Sequence, residues 1–366
     1  MRQDRLDGSC TDRTALVLPA LDPGPALTGL LEQLRAVWRG PVVVVDDGSG
    51  IQARGVFVRA GQLGATVLHH GQNLGKGAAL KTAFRYCRTA WPELAGCVTA
   101  DADGQHTARD IVRTAQALCG HPHSLVLGVR DFSAAGVPAR SRLGNRLTRG
   151  AMALVCGIRL GDTQTGLRGI PMSFLPRALD TPGTRYEYET ALLLTARQEG
   201  LGFVQLPIAT VYTDGNRGSH FRPLADGLRV WGCLAGPFLR FAGASLACTA
   251  VDLGLFTVLA GLLRPLGGWY PAAATVGARV VSAGCNFALN RALVFRLRQG
   301  TGRAAVRYGL LCAGQAAASA LLTTLLAWAL PWPDTLCKVP VDTALFFAGY
   351  TIQRRWVFAA REEEVR

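Results

Sequence analysis

Along roughly the first two-thirds of the chain, short aliphatic runs alternate with stretches whose apolar residues recur at helical spacing. Residues 15–18 and 42–45 are β-branched and aliphatic, and residues 27–37 between them form an amphipathic stretch. Strand, helix, strand is the opening of a βαβ unit. Two further runs, at 67–68 and 98–100, complete a series in which each strand leads into a polar or glycine-rich loop. The second run ends in Asp46-Asp47-Gly48-Ser49. The third leads to the glycine-rich segment 73–81, which enters a helix, and the fourth to Asp101-Ala102-Asp103-Gly104-Gln105-His106.

Beyond residue 235 the pattern changes to long apolar stretches. These predict four membrane spans near 241–263, 270–290, 308–330 and 336–353, since about 20 residues at ~1.5 Å each cross a hydrocarbon core. Residues 308–330 carry no charge, and the fourth stretch needs its flank at 336–338 to reach across. Residues 286–295, NFALNRALVF, resemble residues 349–358, GYTIQRRWVF, and the Arg240 segment resembles the Arg307 segment. The tail therefore reads as two repeated helical hairpins. Arginines concentrate between spans two and three (Arg291, Arg296, Arg298, Arg303, Arg307) and after span four (Arg354, Arg355, Arg361, Arg366), whereas the opposite side offers Arg264 and Lys338. This bias predicts cytoplasmic termini and a cytoplasmic front domain, 1–235, ahead of a membrane domain, 236–366.

Asp252, Arg279 and Asp342 each lie twelve residues from an arginine at the same predicted face, Arg240, Arg291 or Arg354. That puts all three about 18 Å deep. Charges at that depth are paired or functional. Two readings stay open, an ion pair that locks the bundle and a polar path for a lipid-linked phosphate.

Composition agrees with a partly membrane-embedded chain. Of 366 residues 49% are hydrophobic and 17% charged, below the roughly 25% charged of soluble domains. Mean hydropathy is +0.21. Disorder and a small secreted scaffold are excluded. The net charge of +14 comes almost wholly from arginine, with Lys76, Lys81 and Lys338 the three lysines. This excess suits phosphate-bearing partners or an anionic membrane face, and nothing points to nucleic acid. Ten cysteines without CxxC pairs read as reduced thiols. The N-terminus lacks the apolar core of a signal peptide.

Acids at the ends of successive strands lie where an open α/β sheet binds its ligand. Asp101 and Asp103 flank one residue, so both carboxylates can face one side, and Gln105 can add a third oxygen. Hard oxygen donors suit Mg²⁺ or Mn²⁺ beside a diphosphate leaving group. Lys76 or neighbouring backbone N–H groups can contact phosphate, and an ordinary strand–helix turn is the alternative there. Asp162, Glu187 and Glu189 either orient sugar hydroxyls or cap and pair with Arg168 and Arg185. His69, His70, His106, His121 and His123 show no metal spacing and read as loop or surface residues. Residues 140–158 set leucines against Arg142, Arg146 and Arg149, which fits a helix on a membrane surface or one packed on the core. Residues 223–238 have a similar mixture.

VLPALDPG, VVVVDDGSG, NLGKGAALKTAF, DADGQH, Gly128-Val129-Arg130 and DTQTGLRG follow one another in an order that resembles family-2 glycosyltransferases of the dolichyl-phosphate mannose synthase type, over about residues 12–222. The tail resembles the GtrA-like four-helix membrane domain. The resemblance implies a GT-A α/β domain followed by an all-α membrane domain. It implies a membrane-bound enzyme that moves one sugar from a nucleotide diphosphate sugar (GDP-mannose, UDP-glucose or UDP-GlcNAc) to a polyprenyl phosphate such as undecaprenyl or dolichyl phosphate. Carried over by position, Pro19, Leu21, Asp22, Val45, Asp47 and Lys76 would hold the nucleotide sugar with Asp101, Ala102 and Asp103. Asp101, Asp103 and Gln105 would hold the metal. Arg130, Arg142, Asn145, Ser219 and Arg222 would face the acceptor phosphate, Arg222 replacing as cation the lysine of the family's Gly-x-Ser-Lys motif, which appears here as Arg217-Gly-Ser219-His220-Phe-Arg222. The family's Pro-x-Tyr-Asn-Glu appears here as Pro19-Ala-Leu-Asp-Pro23, which leaves the base open. A phosphate monoester is already mostly anionic at neutral pH, its second pKa being near ~6, so direct displacement with inversion is expected. A lipid-linked sugar transporter with a non-catalytic front domain is the alternative. A homo-oligomer is compatible with the hairpins.

Overall fold

In the computed structural model, residues 10–132, 139–209, 225–295, 300–330 and 334–358 are described. The chain divides into two compact units, Met1–Leu234 and Ala235–Arg366.

The first unit is built on a seven-stranded sheet: β1 (Thr14–Ala20), β2 (Val42–Asp46), β3 (Thr66–His69), β4 (Gly96–Thr99), β5 (Ser124–Arg130), β6 (Arg168–Pro171) and β7 (Gly202–Ile208). The order across the sheet is β3-β2-β1-β4-β6-β5-β7. All neighbours are parallel except β6, which runs antiparallel to both β4 and β5. Alternation along the strands sorts side chains to two faces. Val17, Val45, Cys97 and Leu127 pack on one side against α3 (Lys76–Ala90), α6 (Leu175–Asp180) and α7 (Glu187–Gln198). Leu16, Val44, Val98 and Val126 pack on the other against α1 (Pro25–Leu34), α2 (Arg54–Gln62) and α4 (Ala108–Gly120). Both faces of the parallel strands are covered, which is why residues 42–45 read as an unbroken apolar run.

Helix α5 (Ala139–Ala151) continues as a π-turn, Met152–Cys156. Its Leu143 and Leu147, and Leu154 of the π-turn, are exposed, as are Arg142, Arg146 and Arg149. Ile158, which the sequence groups with these leucines, is instead buried in the core, so the segment is exposed at its leucines and core-packed at its end. Helix α8 (Ala225–Leu263) shows the same division at its start: Val230 and Leu234 join the core while Leu228 and Trp231 are exposed.

In the second unit α8 is followed by α9 (Tyr270–Leu289), α10 (Thr301–Ala329) and α11 (Asp334–Ile352). Among the described residues two helices, α8 and α10, are each long and apolar enough to cross a membrane. The repeat has a structural counterpart. A π-turn follows α9 at Asn290–Val294 and another follows α11 at Gln353–Val357. Their first residues occupy matching repeat positions, are buried, and bond to each other, Asn290 Nδ2 donating to Gln353 Oε1 at 3.0 Å. Phe295 and Phe358, also matching, stack with centroids 4.9 Å apart. Phe241 of α8 meets Tyr350 of α11, and Tyr308 of α10 meets Phe287 of α9. Like meets like across the hairpins, the contact pattern of an internal pseudo-twofold.

The three embedded charges do not form one cluster. Asp252 pairs with Arg279 at 3.3 Å and accepts from Ser282 Oγ at 2.8 Å. Asp342 instead pairs with Lys338 at 3.1 Å and accepts from Ser319 Oγ at 2.6 Å. Counted from Arg240 and Arg307, Ser319 stands where Asp252 stands in the first hairpin, and Asp342 matches Arg279. Each hairpin thus closes its own polar pair at the same level, and the second draws its cation from one turn earlier on α11.

Candidate active site

The loops after β1, β2 and β4 are laced by side chains the sequence had marked for a ligand. Asp22 takes φ +45°, a left-handed conformation that Asp tolerates better than most residues. Its backbone N–H donates to Ser49 Oγ and its carboxylate accepts from Gly50 N–H, both at 2.8 Å. Asp46 accepts from Ser49 N–H at 2.8 Å and pairs with His69 at 2.9 Å. Burial opposes ionisation of Asp46, but the Ser49 and His69 contacts outweigh it and hold the carboxyl below its usual range.

Asp47 is buried and fully committed. Its carboxylate accepts from Leu74 N–H at 3.0 Å and Gly75 N–H at 2.8 Å, and meets His70 Nδ1 at 2.8 Å. His70 in turn reaches Thr82 Oγ1 at 3.0 Å. The expectation that Asp47 contacts a nucleotide meets a carboxylate engaged in shaping the glycine-rich loop. Val45 is wholly buried in the core, so its side chain belongs to the sheet. Pro19 and Leu21 are half-buried at the β1 end. The surface reading of the histidines is corrected for two of them: His106 is buried and His70 half-buried, because Asp101 and Asp47 give them partners inside the fold.

At the end of β4, Asp101 lies against the 162–169 segment. Thr99 Oγ1 donates to Gly166 O at 2.8 Å, and a Cβ on Gly166 would overlap both oxygens of the Asp101 carboxylate. The loop DTQTGLRG therefore carries a glycine because the carboxylate takes the room. Lys76, the first residue of α3, sets its ammonium 2.7 Å from Asp101 Oδ1 and 3.0 Å from Glu189 Oε1. Burial works against charge on Lys76 and on Asp101. The mutual attraction outweighs it, holding Lys76 well above and Asp101 well below their ordinary pKa values. His106 Nε2 lies 3.4 Å from Asp101 Oδ2. Asp103, whose Oδ1 accepts from Gln105 N–H at 3.0 Å, is pushed up by burial and by the Asp101 charge.

Arg130 ends β5 and makes a two-pronged pair with Asp162, Nε to Oδ2 at 2.7 Å and Nη2 to Oδ1 at 3.3 Å. Asp162 is fully buried and also accepts from Gln164 N–H. Among the acids, Asp162 pairs with Arg130 and Glu189 with Lys76 rather than with Arg168 or Arg185, and Glu187 caps by accepting from Thr184 and Arg185 N–H. Arg168 is buried and donates to the Thr165 and Glu189 carbonyls. Arg142 and Asn145 part company, Arg142 exposed and Asn145 buried, donating to Gly161 O at 3.0 Å. Ser219 and Arg222 lie outside the described residues.

Sequence reading missed the roles of Gly166 and of the Lys76–Glu189 contact. The first sits inside a recognised motif, but nothing in one sequence says which atom its missing side chain would strike. Gly166→Ala is expected to lower catalysis about a hundredfold by turning the Asp101 carboxylate, with a melting temperature close to the parent's. Parallel turnover and thermal-unfolding measurements check it.

An α/β domain with acids and a basic residue gathered at its strand ends is followed along the chain by long apolar helices. The Glycosyl transferase family 2 model matches residues 7–175 and the GtrA/DPMS transmembrane domain model matches residues 240–358. The chain therefore carries a family-2 glycosyltransferase domain on an α/β fold followed by a GtrA/DPMS transmembrane domain, and it is a glycosyltransferase enzyme. It is similar to an uncharacterised protein of Methanocaldococcus jannaschii, 28% identical over 207 residues, 56% of this chain and 83% of that one. It is also similar to the UDP-N-acetylglucosamine–dolichyl-phosphate N-acetylglucosaminyltransferase of Methanococcus voltae, 25% identical over 54% of this chain and 86% of that one. Glycosyltransferase AglJ of Haloferax volcanii is 24% identical over 67% of this chain and 80% of its own. Among solved structures, glucosyl-3-phosphoglycerate synthase of Mycobacterium tuberculosis, in complex with Mn²⁺, UDP and phosphoglyceric acid, matches with a TM-score of 0.46 and 19% identity, covering 63% of this chain and 79% of that one.

Proposed function

We propose that the enzyme transfers one sugar from a nucleotide diphosphate sugar to a polyprenyl phosphate in the membrane. The observation that carries this reading is the Asp101–Asp103 pair at the end of β4, opposed by Lys76, in a chain that also holds a transmembrane domain. The name of the Methanococcus voltae relative makes UDP-GlcNAc the first donor to test, ahead of UDP-glucose and GDP-mannose.

Among the described residues no three His, Cys, Asp or Glu side chains converge as a cage for an ion. Two adjacent carboxylates, one pushed up by the charge of the other, fit a divalent cation that completes its shell with diphosphate oxygens. Asp101 and Asp103, with Gln105 as a third oxygen, would hold Mg²⁺ or Mn²⁺, which supplies charge neutralisation for the departing diphosphate. Arg130, held by Asp162, would bind a phosphate group. The acceptor is already anionic, so orientation and charge stabilisation suffice without a strong general base, and attack opposite the leaving group inverts the anomeric centre. The exposed leucines and arginines of α5 suit the surface of an anionic bilayer, where the acceptor phosphate lies. Four spans, cytoplasmic termini and a part for the membrane domain in moving the lipid-linked product belong to the same reading.

The test uses membranes containing the full chain, polyprenyl phosphate, Mg²⁺ or Mn²⁺ and the three labelled donors in parallel. Label from one donor should enter the organic phase and stop on adding EDTA. Folded protein that labels lipid from none of them would overturn the reading in favour of a transporter.

A further inference from the structure

Lys76 is held with little freedom. Asp47 fixes the two residues before it through Leu74 and Gly75 N–H, and Ala78 N–H donates to Thr184 O at 2.9 Å just after it. Gly75 takes φ +102°, and a Cβ there or at Gly77 would run into the 184–188 segment. The helix start is therefore wedged in place, and the side chain alone can move. The Lys76 side chain is 16% exposed, and its ammonium lies between Asp101 and Glu189, whose side chain is 9% exposed.

Asp101 has a donor on each side, Lys76 at Oδ1 and His106 at Oδ2. A cation approaching this carboxylate meets an ammonium already on it. We propose that Lys76 is a resident counter-cation of Asp101, which a divalent cation must displace, so that metal and donor diphosphate bind cooperatively. This rests on the reading that Asp101 and Asp103 receive a divalent cation. Two like charges a few ångströms apart repel strongly where water is scarce. The diphosphate relieves that repulsion by giving the ammonium new oxygens, and Glu189 keeps it paired during the exchange. Thermodynamic linkage then requires that each ligand tighten the other by the same factor.

The device would keep the Asp101 charge compensated until a donor arrives. It also predicts that free metal binds the resting enzyme poorly, although two carboxylates stand ready.

The experiment measures Mn²⁺ binding by electron paramagnetic resonance on the full chain in detergent micelles, alone and with UDP or GDP. Lys76→Met should bind Mn²⁺ without nucleotide about tenfold tighter than the parent or more, and the further gain from nucleotide should shrink by a similar factor. Lys76→Arg, which keeps the charge, should stay near the parent. Lys76→Gln repeats the test if Lys76→Met does not fold. Unchanged or weaker Mn²⁺ binding in the charge-removing variants, with binding still lost in Asp103→Ala, would overturn the counter-cation role and leave the metal reading standing. No Mn²⁺ binding to any form with either nucleotide would overturn both.

Discussion

Asp103→Ala is expected to lower sugar transfer by ~10³-fold or more while leaving the fold intact or slightly more stable. The activity loss follows from removing one of two carboxylates that would hold the cation against the leaving diphosphate, where charge stabilisation is among the largest contributions an enzyme makes. The stability prediction has a separate origin. Burial and the neighbouring Asp101 charge hold the Asp103 carboxyl above its ordinary value. A carboxyl with a raised folded-state pKa binds its proton more tightly when folded, so stability declines as pH rises from the unfolded value through the folded one. Above the ordinary carboxylate range the Asp103 carboxyl therefore weighs against the fold, and alanine removes that cost. Label transfer to lipid and thermal unfolding at pH 7 test the two halves. A variant that unfolds several degrees lower would mean that Asp103 supports the structure and would void the inference from its lost activity.

Asp162→Ala should behave in the opposite way, losing both stability and activity. Asp162 is fully buried and holds Arg130 through two contacts of 2.7 and 3.3 Å. Removing one partner of such a pair leaves a half-buried guanidinium without its counter-charge and Gln164 N–H without its acceptor. A loss of about 3 kcal/mol is typical of that change. Transfer should fall about a hundredfold as well, because the guanidinium is no longer aimed. If Arg130 acts through this orientation, Arg130→Ala combined with Asp162→Ala will lose much less than the sum of the two single losses. Full additivity would show that the two residues work independently.

The contrast between these acids bears on what can be read from one sequence. The strand–helix alternation, the acids at strand ends, the glycine-rich turn and the change to apolar stretches near residue 235 are local patterns, because side-chain periodicity and turn chemistry act over a few residues. They pointed to an α/β domain with a ligand site at its strand ends and to a membrane tail, and the hairpin repeat was visible as a repeat of letters. Asp101 and Asp103 were recognisable for the same reason, standing two apart at the end of an apolar run.

Partnership was decided elsewhere. Asp47, Asp101, Asp162 and Glu189 look alike along the chain, yet one shapes a loop, one holds Lys76 and faces Gly166, one aims Arg130, and one shares the Lys76 ammonium. The antiparallel insertion of β6 beside β4 brings Gly166 against Asp101 across a long stretch of sequence, and no local rule specifies it. The membrane domain repeats the lesson, for Asp342 chose Lys338 over Arg279 although depth alone allowed either. Local pattern determined which elements form and where charge gathers. Which charge meets which depends on distances of a few ångströms between segments far apart in the chain, and only tertiary packing sets those.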